Sequence, residues 1–133
     1  MNLSNLSIFG LASDRMTWLA ARQKVTSENV ANAATPEFQA RDVTSFSSMV
    51  ENRTSAVSGL VTTNARHISG GTSTSTGIRE ITDPTSTQTK IDGNTVNLEE
   101  QAIRSAEISD QYRMAAQLYR KGYDLLTMAV TGR

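Results

Sequence analysis

A chain of 133 residues is the size of one ordinary domain, and its 13 Lys and Arg residues balance 13 Asp and Glu residues at a formal net charge of zero. This balance gives no broad attraction to nucleic acid or to an anionic membrane. Aromatic residues are only 5% of the chain, which argues against a large core. Cysteine is absent, which excludes disulfides and thiolate metal ligands.

The N-terminal stretch does not have the pattern of a cleavable secretory signal. In MNLSNLSIFGLA, Ser and Asn interrupt the apolar residues, and no Lys or Arg comes before Arg15. No apolar run in the sequence approaches the ~20 residues that cross a bilayer. We therefore expect neither a cleaved signal nor a direct membrane span.

Residues 9 to 33 carry the pattern of an amphipathic helix. Residues at alternating spacings of three and four form a mostly apolar stripe: Phe9, Ala12, Met16, Leu19, Gln23, Thr26, Val30 and Ala33. Trp18 lies beside the stripe and is interpreted as an interface anchor rather than a ligand contact. The Thr35-Pro36 step ends the helix near Ala33 or Ala34, because proline disfavours a helical residue before it and lacks a backbone donor.

The middle segment has a different composition. SGGTSTSTG at 69 to 77 is of low complexity, and GLVTTN at 59 to 64 weakly favours a strand. ITDPTSTQTKI at 81 to 91 is either an extended strand or an ordered loop. We expect a largely irregular segment with at most short strands and little to bury, which makes partners outside the subunit necessary for its ordering.

The C-terminal third repeats the helical pattern more strongly. DGN at 92 to 94 is a turn signal, and Asn97 or Thr95 is the candidate N-cap of the helix that follows. Gly122 either lowers the stability of the helix by about 1 kcal/mol relative to alanine or marks a close approach of another helix. Gly132 is expected to end the helix. The stripe consists of Leu98, Ala102, Ser105, Ser109, Tyr112, Ala116, Tyr119, Tyr123, Leu126 and Val130.

These elements predict a mainly α fold, with two long terminal helices that form an antiparallel coiled coil joined by the irregular middle segment. The predicted parts are an N-terminal assembly helix at 1–34, a middle segment at 35–94 and a C-terminal assembly helix at 95–133, with the two helices in one domain. Aligning the stripes by their ends places Leu19 opposite Ala116. The expected packing and assembly residues are Phe9, Ala12, Met16, Trp18, Leu19, Val30, Ala33, Leu98, Ala102, Tyr112, Ala116, Tyr119, Tyr123, Leu126 and Val130.

No group of residues predicts an enzyme. His67 is the only histidine, and a lone loop histidine is more often structural or solvated than a ligand or a base. Arg104, Glu107 and Asp110 are interpreted as a solvated helix face with one local ion pair. The tyrosines of the second stripe predict a packing seam rather than a stacking platform for nucleic acid. We therefore expect no catalytic residue, no cofactor and no metal.

The stretch SENVANAATPEFQARDV at 27 to 43 resembles the N-terminal signature of the bacterial flagellar axial proteins, the rod and hook family. In that signature a helix ends in Asn-x-Ala-Asn, followed by Thr-Pro and an aromatic residue. The matching residues here are Asn29, Ala31, Asn32, Thr35, Pro36 and Phe38. One departure is Glu37, which stands where the family usually has glycine.

Two further segments narrow the resemblance to the proximal rod. TTNARHIS at 62 to 69, which contains His67, and DGNTVNLEEQ at 92 to 101, which contains Asp92, Gly93 and Asn94, are similar to segments of a proximal rod protein. The Tyr-x-Ala-Asn step usual near the C terminus of the sibling proximal rod protein FlgC is absent.

The resemblance implies a structural subunit of the flagellar basal-body rod that polymerises in the periplasm to transmit torque. It implies export by the flagellar type III apparatus without a cleavable signal peptide. The implied partners are FlgC-like rod subunits, the rod-base adaptor FliE, the export gate and further copies of the chain. The alternative function is a soluble coiled-coil adaptor or export chaperone, which is expected to purify as a stable dimer.

Overall fold

A computed structural model describes residues 7–55 and 77–132 of the chain. The elements in these residues are α1 Ser7–Ala31, β1 Arg41–Val43, α2 Phe46–Ser55, β2 Glu80–Thr82 and α3 Leu98–Thr131. The mainly α fold with two long terminal helices and a short two-stranded sheet is confirmed, whereas the sequence analysis did not identify α2. The predictions for residues 59 to 64 and 69 to 76, and for His67, lie outside the described residues.

Both ends of α3 are capped as the sequence predicts. Asn97 is the N-cap, and its side chain accepts hydrogen bonds from the backbone N–H groups of Glu99 and Glu100. The two glutamates also place negative charge at the positive end of the helix. At the other end Gly132 adopts the left-handed conformation, and its N–H donates to the carbonyl of Met128.

Helices α1 and α3 run antiparallel. The side-chain amide of Gln23, near the end of α1, donates to the Ser105 hydroxyl near the start of α3 at 2.9 Å. Near the start of α1, the Phe9 ring meets the Tyr119 ring edge-on, with centroids 5.1 Å apart. Because early residues of one helix contact late residues of the other, the predicted hairpin of helices is confirmed.

The pairing in the middle of the hairpin differs from the predicted one. Leu19 is fully buried in a cluster with Ile108, about two turns before its predicted partner Ala116. The predicted stripe on α3 is mostly apolar, but the face of this helix that packs inward includes the buried polar residues Gln101 and Arg104. Polar side chains with internal partners are compatible with a buried face, so the stripe alone gives the wrong register.

This register can be tested in a chain that has no native cysteine. We expect a short bismaleimide to join cysteines placed at Gln23 and Ser105 within one subunit, because these two side chains touch. A pair at Gln23 and Ala116 is the control and should not react, since the second position lies roughly 16 Å further along α3. Crosslinking of the control pair on non-reducing gels would contradict the register of the structure.

The core lies where α1, α3 and the elements between them meet. Its buried apolar cluster consists of Trp18, Leu19, Val25, Val43, Met49 and Ile108. The indole N–H of Trp18 donates to the carbonyl of Thr44 at 2.7 Å, which fixes the end of β1 against α1. Because Val43 and Met49 come from the middle segment, the expectation that this segment has little to bury is wrong for its described part.

The two strands form a short antiparallel pair in which Asp42 lies opposite Ile81. The backbone pairing continues past both ends of the sheet, because the N–H of Thr44 donates to the carbonyl of Arg79 and the N–H of Asp83 donates to the carbonyl of Ala40. This ladder brings the acidic side chains of Asp42 and Asp83 to the side of α3.

A strained turn follows α1. Glu37 has a φ of 60°, a left-handed conformation that glycine adopts more readily than any residue with a Cβ. Glycine, which the resembled family usually has at this position, would adopt this conformation without strain, and this chain adopts it with a glutamate. Gly93 also has a positive φ, and a Cβ on it would lie 3.4 Å from the Cα of Glu37.

Replacing Glu37 with glycine should raise the free energy of unfolding by about 1 kcal/mol, because the strain of a side chain in the left-handed region is relieved. Replacing the nearby Gln39 with glycine is the matched control. That change relieves no such strain and should lower stability by about 0.5–1 kcal/mol. Urea denaturation of the two variants measures both effects, and a loss of stability in the Glu37 variant would contradict the account of the turn.

Candidate assembly surface

Asn29 of the signature joins three elements inside the subunit. It is only 1% exposed, and its side-chain amide donates to the carbonyl of Arg41 at 2.7 Å and to the side-chain oxygen of Gln101 at 3.1 Å. Its own oxygen accepts from the N–H of Arg41 at 3.0 Å. The amide thus pairs with both backbone groups of one β1 residue, as a neighbouring strand would, and ties α1 to β1 and α3.

Asn94 likewise binds backbone groups through a buried side-chain amide, here at the end of α1. It is fully buried and donates to the carbonyls of Asn32 and Thr35 at 2.9 and 2.7 Å, while its oxygen accepts from the N–H of Val96. Both carbonyls belong to the turn after α1 and also accept from the backbone N–H groups of Thr35 and Phe38, so the Asn94 amide adds a second bond to each. This contact links the two signature segments, which are far apart in sequence.

The backbone also joins the two signature segments. The N–H of Glu37 donates to the carbonyl of Asp92 at 2.9 Å, and the N–H of Thr95 donates to the carbonyl of Phe38 at 3.0 Å. The Thr95 hydroxyl accepts from the N–H of Ala40. The signature residues of both segments therefore build one junction at the end of the helical hairpin, with Ala31, Thr35 and Pro36 exposed on its surface.

A cluster of charged side chains lies at the centre of the subunit. Arg104 of α3 is 7% exposed and approaches Asp83 at 2.6 Å, Glu100 at 2.9 Å and Asp42 at 3.4 Å. Arg22 of α1 holds Asp42 through two bonds of 2.9 and 2.8 Å. Arg104 was interpreted from sequence as part of a solvated face, and that interpretation is wrong, because the side chain is buried and two of its three carboxylate partners, Asp42 and Asp83, come from distant parts of the chain.

The titration of this cluster follows from its contacts. Burial disfavours the charge of Asp83, but the hydrogen bonds from Thr85 and Arg104 outweigh burial and hold the pKa of this carboxyl below its ordinary value. Burial likewise opposes the charge of Arg104, and the bond to Asp83 with the nearby Asp42 and Glu100 raises the pKa of the guanidinium. Both side chains therefore stay charged at neutral pH, and the cluster fixes β1, the chain after β2 and α3 to one another.

The outer surface of α3 is unusually apolar. Nine large apolar side chains of this helix are exposed: Leu98, Ile103, Tyr112, Met114, Leu118, Tyr123, Leu125, Met128 and Val130. An exposed apolar surface of this extent marks a place where other chains bind.

The end of α3 extends beyond the start of α1. Phe9 lies beside Gly122, where an added Cβ would be only 3.1 Å from the ring, so the predicted close approach at this glycine is confirmed. Among the described residues α1 begins at Ser7, and residues 124–131 extend roughly 12 Å past this point. We call the exposed apolar residues of α3 from Tyr112 to Val130 the α3 surface.

The residues predicted to pack or assemble fall into three groups. Phe9, Trp18 and Leu19 are buried, and six others are partly buried: Ala12, Met16, Ala33, Ala116, Tyr119 and Leu126. The remaining six are exposed on the subunit, so for them a role in assembly stays a prediction: Val30, Leu98, Ala102, Tyr112, Tyr123 and Val130. The stripe on α3 lies at the edge of the buried face, because the centre of that face is occupied by Gln101, Arg104, Ile108 and Ala115.

The described residues contain no group of His, Asp and Glu side chains that could hold a metal ion. None of the described helices has the length and apolar character needed to cross a membrane.

Comparison with known proteins agrees with this geometry. The chain is 33% identical to the flagellar basal body rod protein FlgB of Agrobacterium fabrum strain C58, over 97% of this chain and 96% of the relative. It is 30% identical to the FlgB of Cereibacter sphaeroides over 92% of this chain and 93% of the relative. It is also 33% identical to the FlgB of Escherichia coli strain K12, over 72% of each chain. No protein-family model matches the chain.

Proposed function

The chain belongs to the FlgB family of flagellar basal body rod proteins, and from this membership we propose that it polymerises as a proximal rod subunit that transmits torque. We further propose that the flagellar type III apparatus exports it without cleavage and that its final location is the periplasmic part of the rod. A structural rod subunit needs many contacts with neighbours and no catalytic chemistry.

The observation that carries this proposal is the α3 surface. Large apolar side chains such as Leu118 and Leu125 are exposed on the subunit, although water contact with apolar area is unfavourable. Packing against neighbouring subunits would bury them and would supply free energy for assembly. The network around Asn29 and Arg104 holds the two helices together, so the surface is presented on a rigid hairpin.

The proposed partners are further copies of this chain, FlgC-like rod subunits, the rod-base adaptor FliE and the export gate. An assembly of this kind needs a different contact on each side of the subunit. The exposed apolar residues lie on several sides of α3, with Leu125 and Tyr123 on different faces. The relatives are named as rod proteins, which favours the rod subunit over the alternative of a soluble adaptor or chaperone.

Replacing Leu125 with aspartate tests the proposal in cells that lack the native copy. The exposed position lets the subunit fold, but burial of an unpaired charge at a contact with a neighbour is unfavourable by several kcal/mol. We expect the variant to leave the cytoplasm, to be missing from purified basal bodies and to give non-motile cells.

The matched control is Ala106→Asp, which adds the same charge to α3 at an exposed position before the α3 surface. Cells with this control should stay motile. Circular dichroism of both purified variants should show unchanged helix content. Motile cells with intact rods that contain the Leu125 variant would exclude the α3 surface as an assembly surface.

A further inference from the structure

A rigid turn carries one apolar side chain away from the junction. In the turn 90–94, the N–H of Lys90 donates to the carbonyl of Asn94 and the N–H of Gly93 donates to the carbonyl of Lys90, both at 2.9 Å. Asn94 is itself fixed by the end of α1. Ile91, at the outermost position of this turn, is fully exposed. We call Ile91 and Asp92 the tip.

The tip combines an apolar side chain with a negative charge. Asp92 is exposed, and one of its carboxylate oxygens accepts from the N–H of Asn94 at 3.1 Å, which holds the side chain in place. The other oxygen has no hydrogen bond within the described part of the chain. A rigid group of this composition loses little conformational entropy when it binds to a partner.

A groove at the opposite end of the helical hairpin has complementary chemistry. Its volume is about 290 Å³, and it lies between the start of α1 and the second half of α3. The side chains and backbone that line it are almost all apolar, and they include Leu11, Ala12, Ala115, Leu118 and Gly122. The groove has room for an aliphatic side chain such as isoleucine.

Arg15 supplies the charge in this groove. Its guanidinium lies 4.7 Å from the centre of the Trp18 ring and 4.9 Å from that of Phe46, and it donates to Gln111 at 2.8 Å. Burial and the nearby Arg22 lower the pKa of this side chain. Within residues 7–55 and 77–132, no carboxylate forms an ion pair with Arg15, so an incoming carboxylate would be attracted to it.

We propose that the tip of one copy docks in the groove of a second copy, with Ile91 in the apolar groove and Asp92 at Arg15. This inference rests on the proposed function. Both halves of the contact lie on one chain, which makes a second copy the matching partner. The tip is beside the end of α1 and the groove beside its start, roughly 28 Å apart along the helix. A contact between different surfaces of identical subunits can repeat as an open helical series when the rotation between subunits does not close a ring, as a rod requires.

The test uses the absence of native cysteine. Cells that lack the native copy produce two full-length forms with tags of different size, one with Ile91→Cys and the other with Leu118→Cys. Basal bodies are purified, oxidised mildly and analysed on non-reducing gels. We expect a disulfide between the two forms, several-fold more abundant than with Ile103→Cys in place of Leu118→Cys. Ile103 is the matched control, because the two residues are 63% and 65% exposed on the same helix.

A second variant tests the charge. Asp92→Asn keeps an oxygen for the bond from Asn94, so the turn is retained, but the attraction to Arg15 is lost. We expect this change, made in the Ile91→Cys form, to lower the yield of the disulfide several-fold. Equal disulfide yields at Leu118 and Ile103, or no effect of Asp92→Asn on the yield, would overturn the proposed contact. If the purified basal bodies still contain the protein, that result leaves the proposed rod function intact. Basal bodies without the protein would overturn both.

Discussion

Replacing Arg104 with methionine lowers the free energy of unfolding by about 3–5 kcal/mol, the range measured when one partner of a buried ion pair is removed. Methionine keeps the length of the side chain but leaves Asp83, which is 4% exposed, without its closest cation at 2.6 Å. Asp42 keeps its two bonds from Arg22, so the loss falls mainly on Asp83. Urea denaturation at neutral pH measures the effect.

Arg113→Met is the matched control on the same helix. Arg113 pairs with Asp110 at 3.8 Å, and both side chains are exposed, so this contact contributes little. The control should stay within about 0.5 kcal/mol of the parent chain. Similar stabilities for the two variants would mean that the central cluster does not hold the elements together.

The pH dependence of the parent chain provides an independent measurement on the same cluster. Because the pKa of Asp83 is lower in the folded chain than in the unfolded chain, its contribution to stability is complete above the unfolded pKa of about 3.9. That contribution is lost as the pH falls through the folded value. Without Arg104 the pKa of Asp83 should rise, so the Arg104→Met variant should lose less stability on acidification than the parent chain.

The sequence predicts the elements of this fold better than it predicts their contacts. The period of the apolar residues and the caps of α3 are local properties, and the structure confirms the helices and the caps at Asn97 and Gly132. The inward face of α3 depends on partners that are distant in sequence. Arg104 is buried because Asp42 and Asp83 reach it from the sheet, and no local pattern contains that information.

The signature residues illustrate the same limit. The resemblance identified Asn29 and Asn94 as family residues, but not the groups that they bind. Their partners are backbone carbonyls and N–H groups of Arg41, Asn32 and Thr35, which any residue type could supply. The sequence therefore indicates which side chains matter, and only the fold shows that they act inside the subunit, whereas the large apolar side chains of α3 are exposed.

Replacing the signature residue Asn29 should destabilise the chain strongly. Asn29→Ala removes bonds to both backbone groups of Arg41 and to Gln101 at once, in a place that is almost fully buried. Each buried group left without a partner costs about 1–3 kcal/mol, and water that enters the space recovers part of this. We expect a loss of about 2–4 kcal/mol in urea denaturation. Ser27→Ala, at an exposed position of the same helix, should change stability by less than about 0.5 kcal/mol.

Asn29→Asp changes the hydrogen bonds that residue 29 can form but leaves the volume of its side chain nearly unchanged, so it tests the hydrogen bonds alone. A carboxylate can still accept from the N–H of Arg41, but it cannot donate, so it places a charged oxygen against the carbonyl at 2.7 Å. Burial and this carbonyl should raise the pKa of the introduced carboxyl in the folded chain. The variant is therefore expected to be strongly destabilised at pH 7 and to recover part of the loss near pH 4.5, where the protonated carboxyl can donate. Parent-like stability at pH 7 would show that the donation from Asn29 to β1 is not needed to hold the hairpin and the sheet together.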